Sequence, residues 1–341
     1  MMDTSDEWIV TRTGIRRRHI LRAEERLSDH AVRASHRALD MAGVSGSDLD
    51  LILFATSTPD DAFGSACAVQ RGVEAKRALA YDITAACSGF VVALTAAAHH
   101  VRAGAARKVL VVGGDAMSRL VDWRDRATCI LFGDGCGAVV VERAECGEGA
   151  EGGVRRDKDV MLGSQRKVSD SAKPTPSCAL LGSELGSDGS GQSMLHASAV
   201  SSVGAELPLS GACSGSAAAS LAYSHVHMQG SEVYKFAVRA VPGALLRALD
   251  QAELRPADVD WFALHQANSR ILGAVAERLK VSTDKVLNNI AEYGNTSAGS
   301  IPLVLDEAVR RGDVKEGDVL ALAGFGGGLT WAAAVIKWGR W

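Results

Sequence analysis

The feature that most constrains the fold of this 341-residue chain is an internal repeat. Without gaps, the segment at 38–57 matches the segment at 248–267 at an offset of 210 residues, and six of the twenty aligned positions are identical. Each copy reads as a helix end, a polar turn with two aspartates and a short apolar strand. The repeat therefore predicts two similar halves.

The same offset continues through two further segments. TAACSGF at 84–90 falls opposite GNTSAGS at 294–300, and KVLVVGGD at 108–115 falls opposite DVLALAGFG at 318–326, displaced by about one residue. Three matches in register favour duplication over chance.

Strands alternate with helical stretches in each copy, which indicates βαβ units and a largely parallel sheet. We therefore expect an α/β chain of two duplicated halves, with sites at strand ends where loops of both halves converge. The predicted helices carry apolar residues at three-to-four spacing and lie at 25–42, 88–104, 232–251, 267–280 and 298–312.

The predicted organisation has three regions. Residues 1–145 form the first half and residues 231–341 the second. Between them, 146–230 is rich in Gly, Ser and Ala and is predicted to be a variable, solvated insertion. It contains a short strand near 179–187 that begins the second half.

Composition narrows the function. The net charge is only -3 and like charges do not cluster, which disfavours nucleic-acid and membrane partners. Seven scattered cysteines without a C-x-x-C pair indicate reduced thiols and no zinc site, and the pair His225 and His227 lacks further ligands. Nowhere do about 18 apolar residues run together, so a soluble protein is expected. Its partners should be small molecules and proteins.

Cys87 lies at a predicted strand-to-helix junction. The exposed N–H groups and positive end of the helix favour a thiolate there, and small neighbours leave space for a substrate. Taken alone, a single cysteine is more often a small buried apolar residue.

Two further residues lie at comparable places in the second half. His265 ends an apolar strand, and Asn295 lies in the segment that the repeat places opposite Cys87. Each has a simpler interpretation alone, a structural histidine and a turn or helix cap. The glycine run at 325–331 could aim a backbone N–H into a cavity or form a tight turn. The coincidence of the three side chains favours a site.

The chain resembles type III ketoacyl-acyl-carrier-protein synthases, of the thiolase superfamily. The motifs that carry the resemblance occur in family order over almost the whole chain: DTSDEWIVTRTGIRRRHI at 3–20, the Cys87 junction, FGDGCGAVVV at 132–141, HQAN with Arg270, GNTSAGSIPLVLDEA at 294–308 and AGFGGGLTW. Type I and II synthases have a second His where Asn295 stands, and thiolases a second Cys. Chalcone-synthase-like enzymes lack the opening motif.

The resemblance implies a thiolase-like fold, with mixed sheets in layers around buried helices, and a decarboxylating condensation. Cys87 would take the acyl group of acetyl-CoA, and His265 and Asn295 would stabilise the enolate that forms when malonyl-acyl-carrier protein loses CO2. The backbone N–H groups of Cys87 and Gly327 would form the oxyanion hole. No metal or redox cofactor is implied.

The resemblance also assigns binding residues. Trp8 and Arg126 would sandwich the adenine of CoA, Arg12 would face its phosphates, and Phe63 would cross the interface of a homodimer to shape the partner's acyl pocket. The residues implied for carrier-protein docking are Gln266, Ala267, Asn268 and Arg270.

Two departures from the family pattern carry expectations of their own. The chain begins at the DTSDEW motif, so it is expected to be shortened at the N-terminus and to lack one strand of the first sheet; a transit peptide could also be missing. The insertion is longer than usual. The ending resembles plastid and cyanobacterial members, which suggests the plastid stroma or the cytoplasm. The alternatives are a longer or branched primer and an inactive truncated homologue.

Overall fold

The computed structural model describes residues 3–143, 179–200 and 222–339. The helices in these ranges are α1 (Asp6–Thr13), α2 (Leu27–Ala42), α3 (Ala66–Gly72), α4 (Gly89–Arg102), α5 (Gly230–Gln251), α6 (Ser269–Leu279), α7 (Ile290–Tyr293) and α8 (Ser300–Arg311). The long strands are β1 (Leu51–Ala55), β2 (Leu79–Ile83), β3 (Lys108–Ala116), β4 (Asp134–Glu142), β5 (Ala179–Ser187), β10 (Trp261–Leu264), β11 (Val319–Gly326) and β12 (Thr330–Lys337). The two-residue strands are β6 (Leu195–His196), β7 (Ala199–Val200), β8 (Ala222–Tyr223) and β9 (His227–Met228).

The long strands form two mixed sheets. The first has the order β2-β1-β3-β4, with β1 parallel to both neighbours and β4 antiparallel to β3. The second has the order β10-β11-β12-β5, with β10 parallel to β11 and the two following pairs antiparallel. Each half thus contributes its own sheet, as the repeat predicts.

Helices and sheets alternate in five layers. α4 and α8 lie between the sheets, where Phe90 and Ile301 belong to one core with residues of both sheets. α2 covers the outer face of the first sheet, and α5 with α6 covers the outer face of the second. A helix packed between two sheets must be apolar on most of its surface, which α4 satisfies with almost uninterrupted apolar residues. The expected thiolase-like arrangement is confirmed.

The two halves face each other across an approximate twofold relation. Gly113 in β3 and Gly324 in β11 are 211 residues apart, as are Cys87 and Ala298. A Cβ added to Gly324 would lie 2.9 Å from the Cys87 carbonyl oxygen, and one added to Gly113 would overlap the Ala298 carbonyl oxygen. Each half therefore presses a turn against a glycine in the other half's sheet, where a side chain would prevent the contact.

All five predicted helices are confirmed to within two residues at each end. The short helix α1 was not predicted, because its sequence is mostly polar and lacks a clear apolar face. Its ends carry recognisable signals: Ser5 accepts a hydrogen bond from the Trp8 N–H at 3.1 Å, and Gly14 closes the helix with a φ of 80°. Capping residues could have identified it.

The predicted strand near 179–187 is β5, which pairs with β12 and so belongs to the second sheet. Within the described ranges, β4 is the edge strand of the first sheet. Of the rest of the predicted insertion, residues 146–178 and 201–221 lie outside the described residues. None of the helices in the described ranges combines the length and apolar composition of a membrane span.

Candidate active site

Cys87 lies in a 3₁₀ turn, Ala86–Ser88, directly before α4. Its side chain is 8% exposed, and the Ser297 hydroxyl of the second half lies 3.3 Å from Sγ. Burial raises the pKa of the Cys87 thiol to about 12, and the Ser297 hydrogen bond lowers it by less. The expectation that the helix end favours a thiolate is thus wrong for the resting protein, since desolvation outweighs it.

Asn295 is held by both halves. Its backbone N–H donates to Leu131 at 2.9 Å, and its carbonyl oxygen accepts from Gly133 at 3.0 Å. The side-chain oxygen Oδ1 accepts the Ser297 N–H at 2.9 Å. Because Oδ1 is engaged, Nδ2 is left as the donor of this buried carboxamide. Asn295 can therefore offer an N–H to a substrate oxygen.

His265 follows β10 and is 2% exposed. Burial lowers its pKa to about 3, so the imidazole is neutral at physiological pH. Nδ1 lies 2.7 Å from the Ser300 hydroxyl, which also accepts the Gln266 N–H at 3.3 Å. In the tautomer that carries the imidazole proton on Nε2, the Ser300 hydroxyl donates its proton to Nδ1. This tautomer makes Nε2 a donor.

Replacing Ser300 by alanine removes the group that orients His265. We expect the condensation rate to fall about tenfold, the effect of one lost hydrogen bond at an acceptor group, while acylation of Cys87 keeps its rate. Rapid-quench labelling with acetyl-CoA and measurement of CO2 release separate the two steps. Ser300→Thr retains the hydroxyl and serves as the matched control; equal slowing of both steps in Ser300→Ala would contradict the assignment.

The three predicted catalytic residues come together through shared neighbours. Ser297 contacts both Cys87 and Asn295, and Ser300, three residues further on, contacts His265. Phe325 in β11 meets the His265 ring edge-on at a centroid distance of 5.4 Å. One buried thiol, one buried carboxamide and one buried neutral imidazole are thus linked to the same short segment, Ser297 to Ser300, of the second half.

The end of β11 approaches the backbone of Cys87, where the oxyanion hole is predicted. Gly326, which ends β11, lies so close that an added Cβ would be 2.7 Å from the Cys87 nitrogen. Gly327 follows it in the turn toward β12. Two backbone N–H groups, from Cys87 and Gly327, remain the prediction for stabilising an oxyanion here.

Trp8 stacks with both arginines assigned to CoA. The guanidinium carbon of Arg12 lies 4.2 Å from the Trp8 ring centroid, and that of Arg126 lies 4.7 Å away. An adenine ring between Trp8 and Arg126 would need a stacking distance of about 3.5 Å to each of them, which is more room than their present separation provides. The structure brings these residues together, but in a closed stack that adenine would have to open.

The segment assigned to carrier-protein docking divides into two parts. Arg270 is exposed and donates to the Thr11 carbonyl at 3.0 Å, and Asn268 caps α6 and donates to the Arg12 carbonyl at 3.2 Å. Ala267 is half-buried beside them.

Gln266 does not belong to this surface. It is fully buried, and its amide bonds the backbone of Leu264 at 2.8 Å and of Leu287 at 3.1 Å. A docked protein cannot reach it, so the prediction that Gln266 contacts a partner is wrong; its role is to hold the backbone near His265.

Sequence reasoning missed three polar residues around the site: Ser297, Ser300 and Asp115. Ser297 and Ser300 lie in the recognised GNTSAGS segment, and Asp115 is a carboxylate near the end of the apolar strand β3. A charged residue that ends an apolar strand in a repeated unit was the available signal. The described residues contain no cluster of three metal-ligating side chains.

The layered fold and a buried Cys-His-Asn group define a thiolase-like condensing enzyme, an acyltransferase. Residues 81–154 match the family description 3-oxoacyl-[acyl-carrier-protein (ACP)] synthase III, and residues 249–338 match its C-terminal part.

Comparison with known proteins specifies the family. A beta-ketoacyl-[acyl-carrier-protein] synthase III of Synechocystis sp. is 48% identical over 338 residues, 99% of this chain and 91% of that protein. A chloroplastic synthase III B of Cuphea wrightii is 46% identical over 99% of this chain and 78% of its own length. The crystal structure of the synthase III of Aquifex aeolicus superposes with a TM-score of 0.81 at 38% identity, covering 99% and 92% of the two chains. The chain belongs to the beta-ketoacyl-[acyl-carrier-protein] synthase III family.

Proposed function

We propose that this protein condenses acetyl-CoA with malonyl-acyl-carrier protein, with loss of CO2, to give 3-oxoacyl-acyl-carrier protein and so begin type II fatty acid synthesis. The observation that supports the proposal is that Cys87 of one half and Asn295 of the other both contact Ser297, and that a neutral His265 contacts Ser300, in a chain of this family.

In the first step, the Cys87 sulfur attacks the thioester carbonyl of acetyl-CoA. The carbonyl oxygen becomes an oxyanion that the N–H groups of Cys87 and Gly327 are placed to receive. CoA then leaves with a proton, and the acetyl group stays on sulfur as a thioester.

In the second step, malonyl-acyl-carrier protein replaces CoA. The thioester oxygen of the malonyl group accepts hydrogen bonds from His265 Nε2 and Asn295 Nδ2, which stabilise the enolate as CO2 leaves. A neutral imidazole suits this role, because it donates a hydrogen bond without presenting a full positive charge that would hold the carboxylate. The low pKa of His265 keeps it neutral throughout the physiological range.

In the third step, the enolate carbon attacks the acetyl carbonyl on Cys87. A carbon–carbon bond forms, the bond to sulfur breaks, and 3-oxoacyl-carrier protein departs. Decarboxylation itself supplies the carbanion, so we propose that the reaction uses no metal or redox cofactor.

Trp8→Ala tests the CoA assignment. We expect the KM for acetyl-CoA to rise about tenfold, since one stacking face worth on the order of 1 kcal/mol is lost, with little change in kcat. Initial rates at varied acetyl-CoA give both constants, and Trp8→Phe, which retains an aromatic face, is the control. An unchanged KM in Trp8→Ala would remove Trp8 from the binding site.

The carrier protein is proposed to dock beside the CoA site. Arg270 on α6 contacts α1, the helix that carries Trp8 and Arg12, so both substrates would enter on one side of the molecule. Within the described residues, Arg12, Arg126 and Arg270 take part in no salt bridge. Unpaired arginines on one surface would attract an acidic carrier protein and accelerate its association.

A homodimer is also proposed. Phe63 is 99% exposed, which is unusual for a large aromatic side chain, and Leu79 and Tyr81 are exposed on the edge strand β2. A second copy placed against β2 would cover all three residues and bring Phe63 to the partner's acyl site.

The similar proteins are consistent with two cellular compartments. Cyanobacterial proteins and a chloroplastic protein are similar to this chain, and we propose that it acts in the cytoplasm or the plastid stroma.

The function is tested by incubating the protein with acetyl-CoA and malonyl-acyl-carrier protein and identifying the product by mass spectrometry. We expect 3-oxobutanoyl-carrier protein, with acetyl-CoA preferred over longer and branched primers. A preference for a branched or longer acyl-CoA would correct the primer, and a folded protein that forms no product from any acyl-CoA would refute the proposal.

A further inference from the structure

Asp115 is a buried carboxylate that the proposed mechanism does not use. It lies near the end of β3 with no exposed surface. Its Oδ1 accepts three hydrogen bonds from the segment after β1: Thr56 Oγ1 at 3.1 Å, the Ser57 N–H at 2.7 Å and Thr58 Oγ1 at 3.0 Å. Burial raises the pKa of Asp115, and these donors, which fix the carboxylate in the first half of the molecule, oppose that shift by favouring its charged form.

The other oxygen faces the second half. Oδ2 accepts the Ala298 N–H at 3.2 Å. The preceding residue, Ser297, carries the hydroxyl that lies 3.3 Å from Cys87 Sγ. Asp115 therefore holds the backbone directly beside the hydroxyl that faces the reacting sulfur.

The Ser297 hydroxyl has a single proton, which it donates to Cys87 Sγ. When Cys87 is a thiolate, this hydrogen bond stabilises the charge on sulfur, whereas the buried Asp115 carboxylate then faces a second negative charge. The backbone of Ser297 has a φ of 50°, a left-handed conformation that is rare for serine. This conformation sets the direction in which the Ser297 side chain leaves the main chain.

Of the titratable groups around Cys87, Asp115 is the one whose charge affects the thiol. Among the described residues, His265 faces the same site, and it is neutral because burial lowers its pKa to about 3. The negative charge of Asp115 raises the pKa of Cys87, whereas the Ser297 hydrogen bond lowers it. The two partners act in opposite directions on the same thiol.

We propose that Ser297 is a catalytic residue that stabilises the Cys87 thiolate by a hydrogen bond, and that Asp115 is a positioning residue that, through Ser297 and its own charge, keeps Cys87 protonated in the resting protein. The proposal rests on Cys87 as the nucleophile of the proposed function. In this proposal, the two buried residues Ser297 and Asp115 determine whether the Cys87 sulfur is protonated.

The test is the pH dependence of alkylation of Cys87 by iodoacetamide, in which sulfur bonds to carbon and iodide leaves. Mass spectrometry of the Cys87 peptide separates it from the exposed Cys67. We expect Ser297→Ala to slow alkylation about tenfold at fixed pH and to move the profile to higher pH, and Asp115→Asn to accelerate it about tenfold and move the profile to lower pH.

The matched control is Ser88→Ala. Ser88 is buried in the same turn but donates to the Ala85 carbonyl at 2.6 Å, so its loss should leave the profile near that of the unmodified protein.

Opposite shifts in Ser297→Ala and Asp115→Asn support the proposal, because mere loosening of the site would move both in one direction. An unshifted Ser297→Ala, or a folded Asp115→Asn that reacts more slowly, overturns it. If Asp115→Asn does not fold, slower alkylation of Ser297→Ala beside an unchanged Ser88→Ala decides the Ser297 role. Asp115→Glu then tests the carboxylate, and we expect a pH profile unlike that of the unmodified protein because the position of the charge has changed. Alkylation needs neither acyl-CoA nor carrier protein, so these outcomes do not depend on the proposed substrates.

Discussion

Replacing Cys87 by serine is expected to reduce acetyl transfer from acetyl-CoA to the protein at least about 1,000-fold. The hydroxyl of serine is a far weaker acid than a thiol, and the side chain that contacts Cys87 Sγ is the Ser297 hydroxyl, which is not a base. His265 is a weak base, because burial lowers its pKa to about 3, and its Nδ1 is engaged by Ser300. Radiolabelled acetyl-CoA followed by peptide mapping measures the effect.

Cys129→Ser is the matched control for that experiment. Cys129 is equally buried, at 5% exposure, but it packs with Met117 and Val121 away from the three catalytic candidates. The control should accept the label on Cys87 as the unmodified protein does. Label that persists in Cys87→Ser would show that another group is the nucleophile.

Replacing Asn295 by alanine is expected to slow decarboxylation of malonyl-carrier protein about 100- to 1,000-fold, the usual cost of losing one donor to a developing oxyanion. Acetylation of Cys87 should continue, because Asn295 acts only in the second step. Release of CO2 from labelled malonyl-carrier protein, measured beside acetyl labelling in one sample, separates the two effects.

Asn289→Ala is a suitable comparison. Its carboxamide is also buried but donates to Glu307 at 3.0 Å, away from the site, so its loss should cost stability rather than decarboxylation. If Asn295→Ala loses acetylation and decarboxylation together, the side chain supports the fold of the site and has no separate role in the second step.

The repeat determined how much of the fold could be predicted. Matching segments 210 residues apart implied two similar halves, and apolar spacing placed α2, α4, α5, α6 and α8. Apolar spacing did not predict the short helices. α1 has no strong apolar face, and its stability derives from its capping residues and from packing against α6, which periodicity does not report.

The sequence predicted only those residues of the candidate site that lie in recognised motifs or in the repeat. Cys87, His265 and Asn295 follow from motif and repeat, but the protonation of Cys87 does not, since it depends on how completely the second half buries the thiol. Likewise Gln266 lies within a recognised motif, yet only the fold shows that its amide faces the backbone. Asp115 and Ser297 gain their proximity from contact between the halves, which no local pattern contains.

The central claim is that duplication places the thiol of one half beside the amide and imidazole of the other. A crystal structure of the protein acetylated at Cys87, with a malonyl thioester analogue bound, tests it most directly. We expect His265 Nε2 and Asn295 Nδ2 to lie within about 3.2 Å of the analogue's thioester oxygen, with its reacting carbon next to the acetyl group. An analogue bound with either donor turned away from that oxygen, or at a place that Cys87 does not reach, would contradict the account.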